Sequence, residues 1–270
     1  MNNPGSRNHL QNCTVILTRA ANQQGATKQL LEQRGARVLD LPALVIVPPD
    51  DWGPLDEALA SLEDFHWLVF SSVNGVQAVE YRLQRLGGGL CRLPSSLKIA
   101  AVGRRTARLL KDLGAPADFV PPSFVADSLI DHFPESGWGL TMLLPRVQHG
   151  GRTLLAESFK AAGIRVVEVA AYDSRCPEQI AEPAAKALVD GSADAVAFSS
   201  GKTALHAAQL LQGRFGNDWK RHLRGVSVVS IGPQTSRSCR EHFGRVDAEA
   251  DPHDMEGLAE ACNRAMRKKL

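Results

Sequence analysis

The chain has 270 residues, 44% of them hydrophobic, and carries 31 basic against 29 acidic side chains. That length and apolar content can build one large core or two modest ones, while so small a charge excess excludes a nucleic acid or membrane partner held by electrostatics alone. No apolar run reaches bilayer-spanning length, and the five cysteines (Cys13, Cys91, Cys176, Cys239, Cys262) lack CxxC spacing, so they read as reduced thiols of a cytosol-like compartment.

Residues Met1 to Asn12 are polar, with neither the apolar stretch of a signal peptide nor that of an anchor, and read as a disordered leader. Thr14 to Arg19 reads as a short strand, and Gln24 to Arg34 as a helix stopped by Gly35. Arg37 to Val47, ended by Pro48-Pro49, is extended and longer than an ordinary strand; so is Arg165 to Ser174 further on. Both are expected to bridge two bodies. From Leu55 the pattern runs helix, strand (Trp67 to Phe70), helix (Val73 to Leu86), a Gly87-Gly88-Gly89 loop and strand (Lys98 to Val102). A helix (Thr106 to Leu113), a short strand at Phe119-Val120 and a helix from Ala126 to Phe133 follow. The same order then recurs: strand Met142 to Leu144, helix Thr153 to Ala162, the second long segment, helix Pro183 to Val189 and strand Ala195 to Phe198. Its remaining elements are a helix, strand Val226 to Ile231, helix Gln234 to Phe243, strand Arg245 to Ala248 and helix Met255 to Arg267. Strands rich in Val, Leu and Ile that alternate with helices predict parallel sheets covered on both faces.

The recurrence has a constant step. Phe70 and Phe198 lie 128 apart, as do Gly35 and Gly163; Gly103 and Gly232, Thr106 and Thr235, and Leu129 and Leu258 lie 129 apart, and Arg19 and Arg146 127. The chain is an internal duplication. Repeat boundaries alone suggest two consecutive domains cut near Gly137.

In α/β folds of this kind, ligands sit beyond the carboxyl ends of the strands. Four glycine or hydroxyl clusters fall there: Ser71-Ser72-Val73-Asn74-Gly75, Gly103-Arg104-Arg105-Thr106, Ser199-Ser200-Gly201-Lys202 and Gly232-Pro233-Gln234-Thr235. Each reads singly as an ordinary helix cap. Together, if two lobes face one another, they line a shared cleft with backbone N–H groups and hydroxyls that suit carboxylates or phosphates. Arg19 and Arg146, ending the first strand of each copy, are forked donors for a carboxylate. Arg152 and Lys160 read as decoration of a helix surface.

Other chemistries are excluded or weak. Gly201-Lys202-Thr203 resembles the end of a P-loop, but Val196 stands where its first glycine is required. The eight histidines are scattered, and Cys239 with His242 lacks further ligands nearby, so no metal site is expected. There is no GxSxG nucleophile motif. Of the two tyrosines, Tyr81 lies on an amphipathic helix and reads as packing. Tyr172 lies in the second long segment, where its hydroxyl is a candidate for proton transfer or substrate contact and its ring a candidate for packing on a strand.

The ordered set of Leu17-Thr18-Arg19, Ser71 to Val76, Ala101 to Ala107, Leu144-Pro145-Arg146 with Gly151-Arg152 and Leu155, Gly163 leading to Tyr172, Phe198-Ser199-Ser200 and Ser230 to Thr235 resembles the uroporphyrinogen-III synthase family from Thr14 to Ala261. The resemblance implies two doubly wound α/β lobes joined by two long bridging strands, one lobe of residues 13–45 plus 173–270 and the other of 46–172. It also implies a cytoplasmic, monomeric lyase that needs no cofactor or metal. Such an enzyme removes the hydroxyl of hydroxymethylbilane, inverts the last pyrrole ring through a spirocyclic intermediate and closes the macrocycle. By the same resemblance Tyr172 assists loss of the hydroxyl, and Ser71, Ser72, Gly103, Thr106, Ser199, Ser200 and Thr235 hold the substrate; Asn74, Lys202 and Gly232 in the same turns, with Arg19 and Arg146 at the strand ends, are expected to join them from their positions alone. Departures are Ala20-Ala21 in place of the usual proline, Phe-Ser-Ser for Phe-Thr-Ser at both strand ends, and Lys202 where small or hydroxyl residues are usual. The competing expectation is a non-catalytic two-lobed ligand-binding or sensor protein.

Overall fold

The computed structural model describes residues 10–19, 25–123, 126–135, 137–151 and 153–267; the expectations for the leader up to residue 9, for Ala20-Ala21, for Gln24 and for Arg152 lie outside them. The elements are β1 (Thr14–Leu17), α1 (Gly25–Glu32), β2 (Arg37–Asp40), β3 (Val45–Val47), α2 (Gly53–Ala60), β4 (Trp67–Phe70), α3 (Val73–Arg85), β5 (Lys98–Ala101), α4 (Arg104–Asp112) and α5 (Ala126–Asp131). After them come β6 (Thr141–Val147), α6 (Leu154–Ala161), β7 (Arg165–Arg175), α7 (Glu182–Val189), β8 (Ala195–Phe198), α8 (Gly201–Phe215), β9 (Ser227–Ser230), α9 (Pro233–Phe243), β10 (Ala248–Glu249) and α10 (Met255–Arg267). The chain forms two compact units, one from the chain up to Val45 with Arg175 onward, the other from Ile46–Ser174.

The first unit is built on a parallel sheet ordered β10-β9-β8-β1-β2. Alternation along its strands makes two cores. Ile16, Val196, Phe198 and Val228 point to the face covered by Leu188, Leu211 and Phe243, whereas Val15, Leu17, Ala195, Ala197 and Val229 point to the face covered by Leu31, Leu258 and Met266. A strand buried on both faces has no polar side, which is why these runs read as continuously apolar.

In the second unit the order is β3-β7-β6-β4-β5, and β5, β4, β6 and β7 run parallel. Leu68, Phe70, Ile99, Leu143 and Val169 face one core, and Trp67, Val69, Ala100, Met142 and Leu144 the other. Each sheet therefore takes strands from both copies of the repeat, in equivalent order: the copy's later strands, then the first strands of the other copy. Backbone hydrogen bonds repeat as well. Thr14 N donates to Asp194 in one unit where Thr141 N donates to His66 in the other, and Val228 N donates to Asp247 where Ile99 N donates to Asp118.

Three expectations are corrected. Arg37 to Val47 is two short strands in different sheets rather than one long one. Beyond Asp40 the chain still runs beside β1, with Leu41 N on Leu17 O and Ala43 N on Thr18 O, but Pro42 has no N–H to continue a ladder, and Val45 onward joins the other sheet. The strand expected at Phe119-Val120 is a single bridge between Phe119 and Ala100. Arg245 to Asp247 does not pair as strand; Arg245 instead turns its guanidinium onto the carbonyls of Leu223 and Val226, leaving Ala248–Glu249 as β10. Tyr81, read as packing, is 49% exposed and sets its ring 6.1 Å from that of Trp52. No described helix is long and apolar enough to cross a membrane.

Candidate functional site

In the second unit, β4 delivers Ser71 and Ser72 to the first turn of α3. Ser72 takes an extended backbone (φ −154°, ψ 154°), as an N-cap must, and its Oγ accepts the Gly75 N–H at 3.1 Å. The same Oγ lies 3.0 Å from the hydroxyl of Tyr172, which comes from β7, on the far side of β6 from β4. Tyr172 is half-buried and packs its ring against the core that contains Phe70 and Val76. The packing reading therefore holds for the ring of Tyr172, and its hydroxyl meets a strand-end serine 100 positions away. When Ser72 donates to the phenolic oxygen, the phenol's own proton is free for a ligand.

Arg146 sits on β6 but its guanidinium is engaged within the protein, with Nη1 on Glu168 and Nη2 on the Gly150 carbonyl at 3.2 Å. Lys160 reaches the same carboxylate at 2.7 Å, so it joins this network rather than merely decorating its helix. Burial pushes the Glu168 carboxyl up, yet the hydrogen bonds from Lys160 and Arg146 outweigh it and hold it below its ordinary range. Arg146 thus divides its two terminal nitrogens between Glu168 and the Gly150 carbonyl instead of presenting the free fork expected of it. Asn74 is half-buried in the first turn of α3. Gly103, extended at φ −125°, caps α4, and Thr106 in its first turn is 4% exposed.

The first unit holds the counterparts. Ser199 and Ser200 end β8, and Ser200 forms a capping box: its Oγ accepts the Thr203 N–H at 3.2 Å while Thr203 Oγ1 accepts the Ser200 N–H at 3.3 Å. Thr203 stands where Gly75 stands in the other copy, so here the cap serine is matched by a local hydroxyl instead of a tyrosine. Lys202, half-buried, lies one turn before His206. Burial, first, and the Lys202 charge lower the His206 pKa against the raising effect of its 2.8 Å hydrogen bond to the Ala43 carbonyl. Gly232 caps α9 and Thr235, like Thr106, is buried. Because Thr106 and Thr235 are so deeply set, each can offer a ligand only the floor of its turn.

Two groups escaped the sequence reading. The His253 ring lies over Gly232, where a Cβ would come within 3.3 Å of its Cγ, and its Nδ1 lies 2.8 Å from the Ala250 carbonyl. Close approach, not backbone strain, is what the glycine serves there. Arg19 Nη1 reaches Met255 Sδ at 2.8 Å, so the segment after β10 belongs with the other carboxyl-end turns of its unit. In the second unit, His149 pairs with the buried Asp173 at 3.0 Å. No spacing rule links such pairs, since a loop and a strand end bring them together. Among the described residues no cluster of three or more His, Cys, Asp or Glu side chains could hold a metal ion.

Comparison with known proteins agrees with this architecture. Residues 25–260 match the family model described as uroporphyrinogen-III synthase HemD. The chain is 42% identical over 255 residues to the uroporphyrinogen-III synthase of Synechococcus elongatus, covering 94% of this chain and 96% of that one. It is 28% identical to a putative uroporphyrinogen-III synthase of Methanothermobacter thermautotrophicus, over 84% of this chain and 89% of the other. Among solved structures, a mutant uroporphyrinogen III synthase from Thermus thermophilus superposes with a TM-score of 0.60 at 21% identity, over 95% of this chain and 99% of that one. The uroporphyrinogen-III synthetase of Helicobacter pylori superposes with a TM-score of 0.57 at 16% identity, over 92% and 97%. The structural likeness carries the fold, two units each on a largely parallel sheet.

Proposed function

The chain belongs to the uroporphyrinogen-III synthase family, and on that premise we propose that it closes hydroxymethylbilane to uroporphyrinogen III, losing water and inverting the last ring. It is a cyclising lyase of porphyrin biosynthesis. The observation that carries the residue-level reading is the Tyr172–Ser72 hydrogen bond. It joins the one tyrosine on a strand end to a hydroxyl already fixed by the cap of α3, so the phenol is held in place before substrate arrives. Tyr172 donates a proton to the leaving hydroxyl, and Ser72 accepts from or donates to the phenol as its charge changes.

The substrate's acetate and propionate groups are anionic, and the partial positive charge at the first turns of α3, α4, α8 and α9 is a natural partner for them. Ser71, Asn74, Gly103 and Thr106 in one unit, and Arg19, Ser199, Ser200, Lys202, Gly232 and Thr235 in the other, supply these contacts. Arg146 acts through Glu168 and the Gly150 loop rather than by a free fork. The substrate is itself reactive, so orientation supplies much of the rate, and the proposed reaction draws on no metal or cofactor. The five cysteines form no disulfide with one another, which suits a cytoplasmic enzyme, and we place it there as a monomer with a small molecule as its partner.

The test supplies hydroxymethylbilane and resolves the product by isomer. Uncatalysed closure gives the type I isomer, so enrichment of type III is expected; type I alone would refute the proposal.

A further inference from the structure

At the end of β6 the chain leaves the sheet, and His149, its side chain 67% exposed, sets Nδ1 3.0 Å from Oδ2 of Asp173. Asp173 is 2% exposed, and its other oxygen accepts the backbone N–H of Ser174 at 2.8 Å and of His149 at 3.4 Å. A buried carboxylate is costly unless its oxygens are bound. Here both are, and one partner is an imidazole open to solvent. A carboxylate on Nδ1 fixes the ring proton there and leaves Nε2, an acceptor, facing outward.

The same strand end carries Tyr172. Asp173 follows it directly, Tyr172 is in register with Val147, and Gln148 N–H donates to the Tyr172 carbonyl at 2.8 Å. Phenol and imidazole thus stand at the carboxyl ends of two hydrogen-bonded strands of one unit, whose backbones run about 5 Å apart.

Closing a linear tetrapyrrole with loss of water requires two proton transfers. The C–O bond to the hydroxyl breaks as that oxygen takes up a proton and departs as water. The methylene carbon so freed bonds to the substituted α carbon of the last pyrrole to give the spirocyclic intermediate, and the bond from that α carbon to its original methylene breaks. That methylene bonds to the ring's other α carbon, which bears hydrogen, and the C–H bond must break to restore the aromatic ring. Tyr172 serves the first transfer, and no group assigned so far serves the second.

We propose that His149 Nε2 accepts the proton released from the pyrrole carbon as the macrocycle closes, with Asp173 as the positioning residue that fixes the imidazole's tautomer and orientation. The balance closes. One proton goes onto the leaving hydroxyl, one comes off carbon, and the imidazolium returns its proton to the tyrosine or to solvent, so no net proton, oxidant or co-reactant is consumed. This assignment rests on the closure reaction proposed above.

His149→Ala takes the imidazole from one oxygen of buried Asp173, so a thermal melt accompanies it and His149→Asn, whose amide N–H can still meet that oxygen, is the second variant; type III formation is followed with hydroxymethylbilane at saturating and limiting concentration. A base of this kind contributes at least about 100-fold. The expected result is a kcat lowered by about that factor with KM near wild type, and partial recovery on adding imidazole, which occupies the vacated space. Asp173→Asn is expected to lower kcat without recovery by imidazole. A kcat for His149→Ala within twofold of wild type, or a loss that imidazole does not restore, overturns the proposal. Wild-type protein yielding type I alone would overturn the closure reaction, and the proposal with it.

Discussion

Removing the Tyr172 hydroxyl separates its two roles. In Tyr172→Phe the ring keeps its packing against the core around Phe70 and Val76, and what is lost is one 3.0 Å hydrogen bond to Ser72. Such a bond contributes about 1 kcal/mol, a shift of roughly 2–4 °C in Tm. General acid catalysis is worth more, about 100-fold or above, equivalent to about 2.7 kcal/mol. The expected signature is therefore a small change in stability beside a large fall in kcat. Ser72→Ala removes the cap of α3, costing about 1 kcal/mol of stability, and leaves the phenol without its partner. If the two hydroxyls act as one relay, the double variant Ser72→Ala/Tyr172→Phe is scarcely slower than Tyr172→Phe alone, because the serine has nothing left to support. Ser200→Ala is the control: it removes a cap of the same kind with no tyrosine attached, so its stability falls similarly and its kcat stays near wild type. The assay is the rate of type III formation under saturating substrate, with thermal melts on each variant. Independent, multiplicative effects of the two substitutions on kcat, or a Tyr172→Phe enzyme with wild-type kcat, would refute the relay.

Burial pushes the thiols of Cys239 and Cys262 up to about 12, so native protein at pH 8 should react with a maleimide at exposed Cys91 and leave those two intact until denaturant is added; mass mapping of the labelled peptides checks this. His206 titrates below its ordinary 6.5 because it is buried, so the native state binds its proton less readily than the unfolded chain. Its contribution to stability is whole above about pH 6.5 and is lost as pH falls below it, with a slope of at most about 1.4 kcal/mol per pH unit. His206→Gln should flatten that part of the stability profile, and parallel profiles of the two proteins in urea melts would refute the assignment.

What the sequence disclosed, and what it did not, follows from the range of the forces involved. The strands Trp67–Phe70 and Ala195–Phe198 and the helix Met255–Arg267 agree residue for residue with the reading. In each, an apolar run is closed by local chemistry, a serine pair at the strand ends or acidic and basic termini on the helix. Arg37 to Val47 reads as one strand because its composition says that a segment is extended, not which sheet it pairs with. The 3₁₀ run Gly216–Leu223, which buries Trp219, gave no recognisable period. Candidate turns were legible because capping residues are local. The Tyr172–Ser72 bond spans 100 positions and the His149–Asp173 pair 24, and no spacing rule reaches across either. Arg146 looked available in sequence because its neutralising partner, Glu168, lies on the adjacent strand.

The duplication gave two frames of one topology, and the chemistry has since diverged within them. At the second unit's Ser72, the residue three places on is glycine, which leaves the cap hydroxyl to be shared with Tyr172; at Ser200 that residue is Thr203, whose own hydroxyl closes the box. The reverse holds at the next strand. In the first unit Ser230 and Ser236 form a buried 2.6 Å hydrogen bond and Ser236 donates to Glu249, while the corresponding positions of the second unit are Ala101, Ala107 and Val120. A polar chain so fully satisfied holds its turn rigid, as suits a surface that grips carboxylates, whereas a phenol that must give up a proton needs the looser arrangement of a single shared hydroxyl. On the function proposed above, proton transfer falls to the second unit, which shares the binding contacts with the first. Exchanging the cap residues tests that division: Gly75→Thr should close a box around Ser72, compete with Tyr172 for its hydroxyl, and lower kcat about tenfold while the melting temperature holds or rises. A faster or unaltered enzyme would mean that the tyrosine acts without the serine.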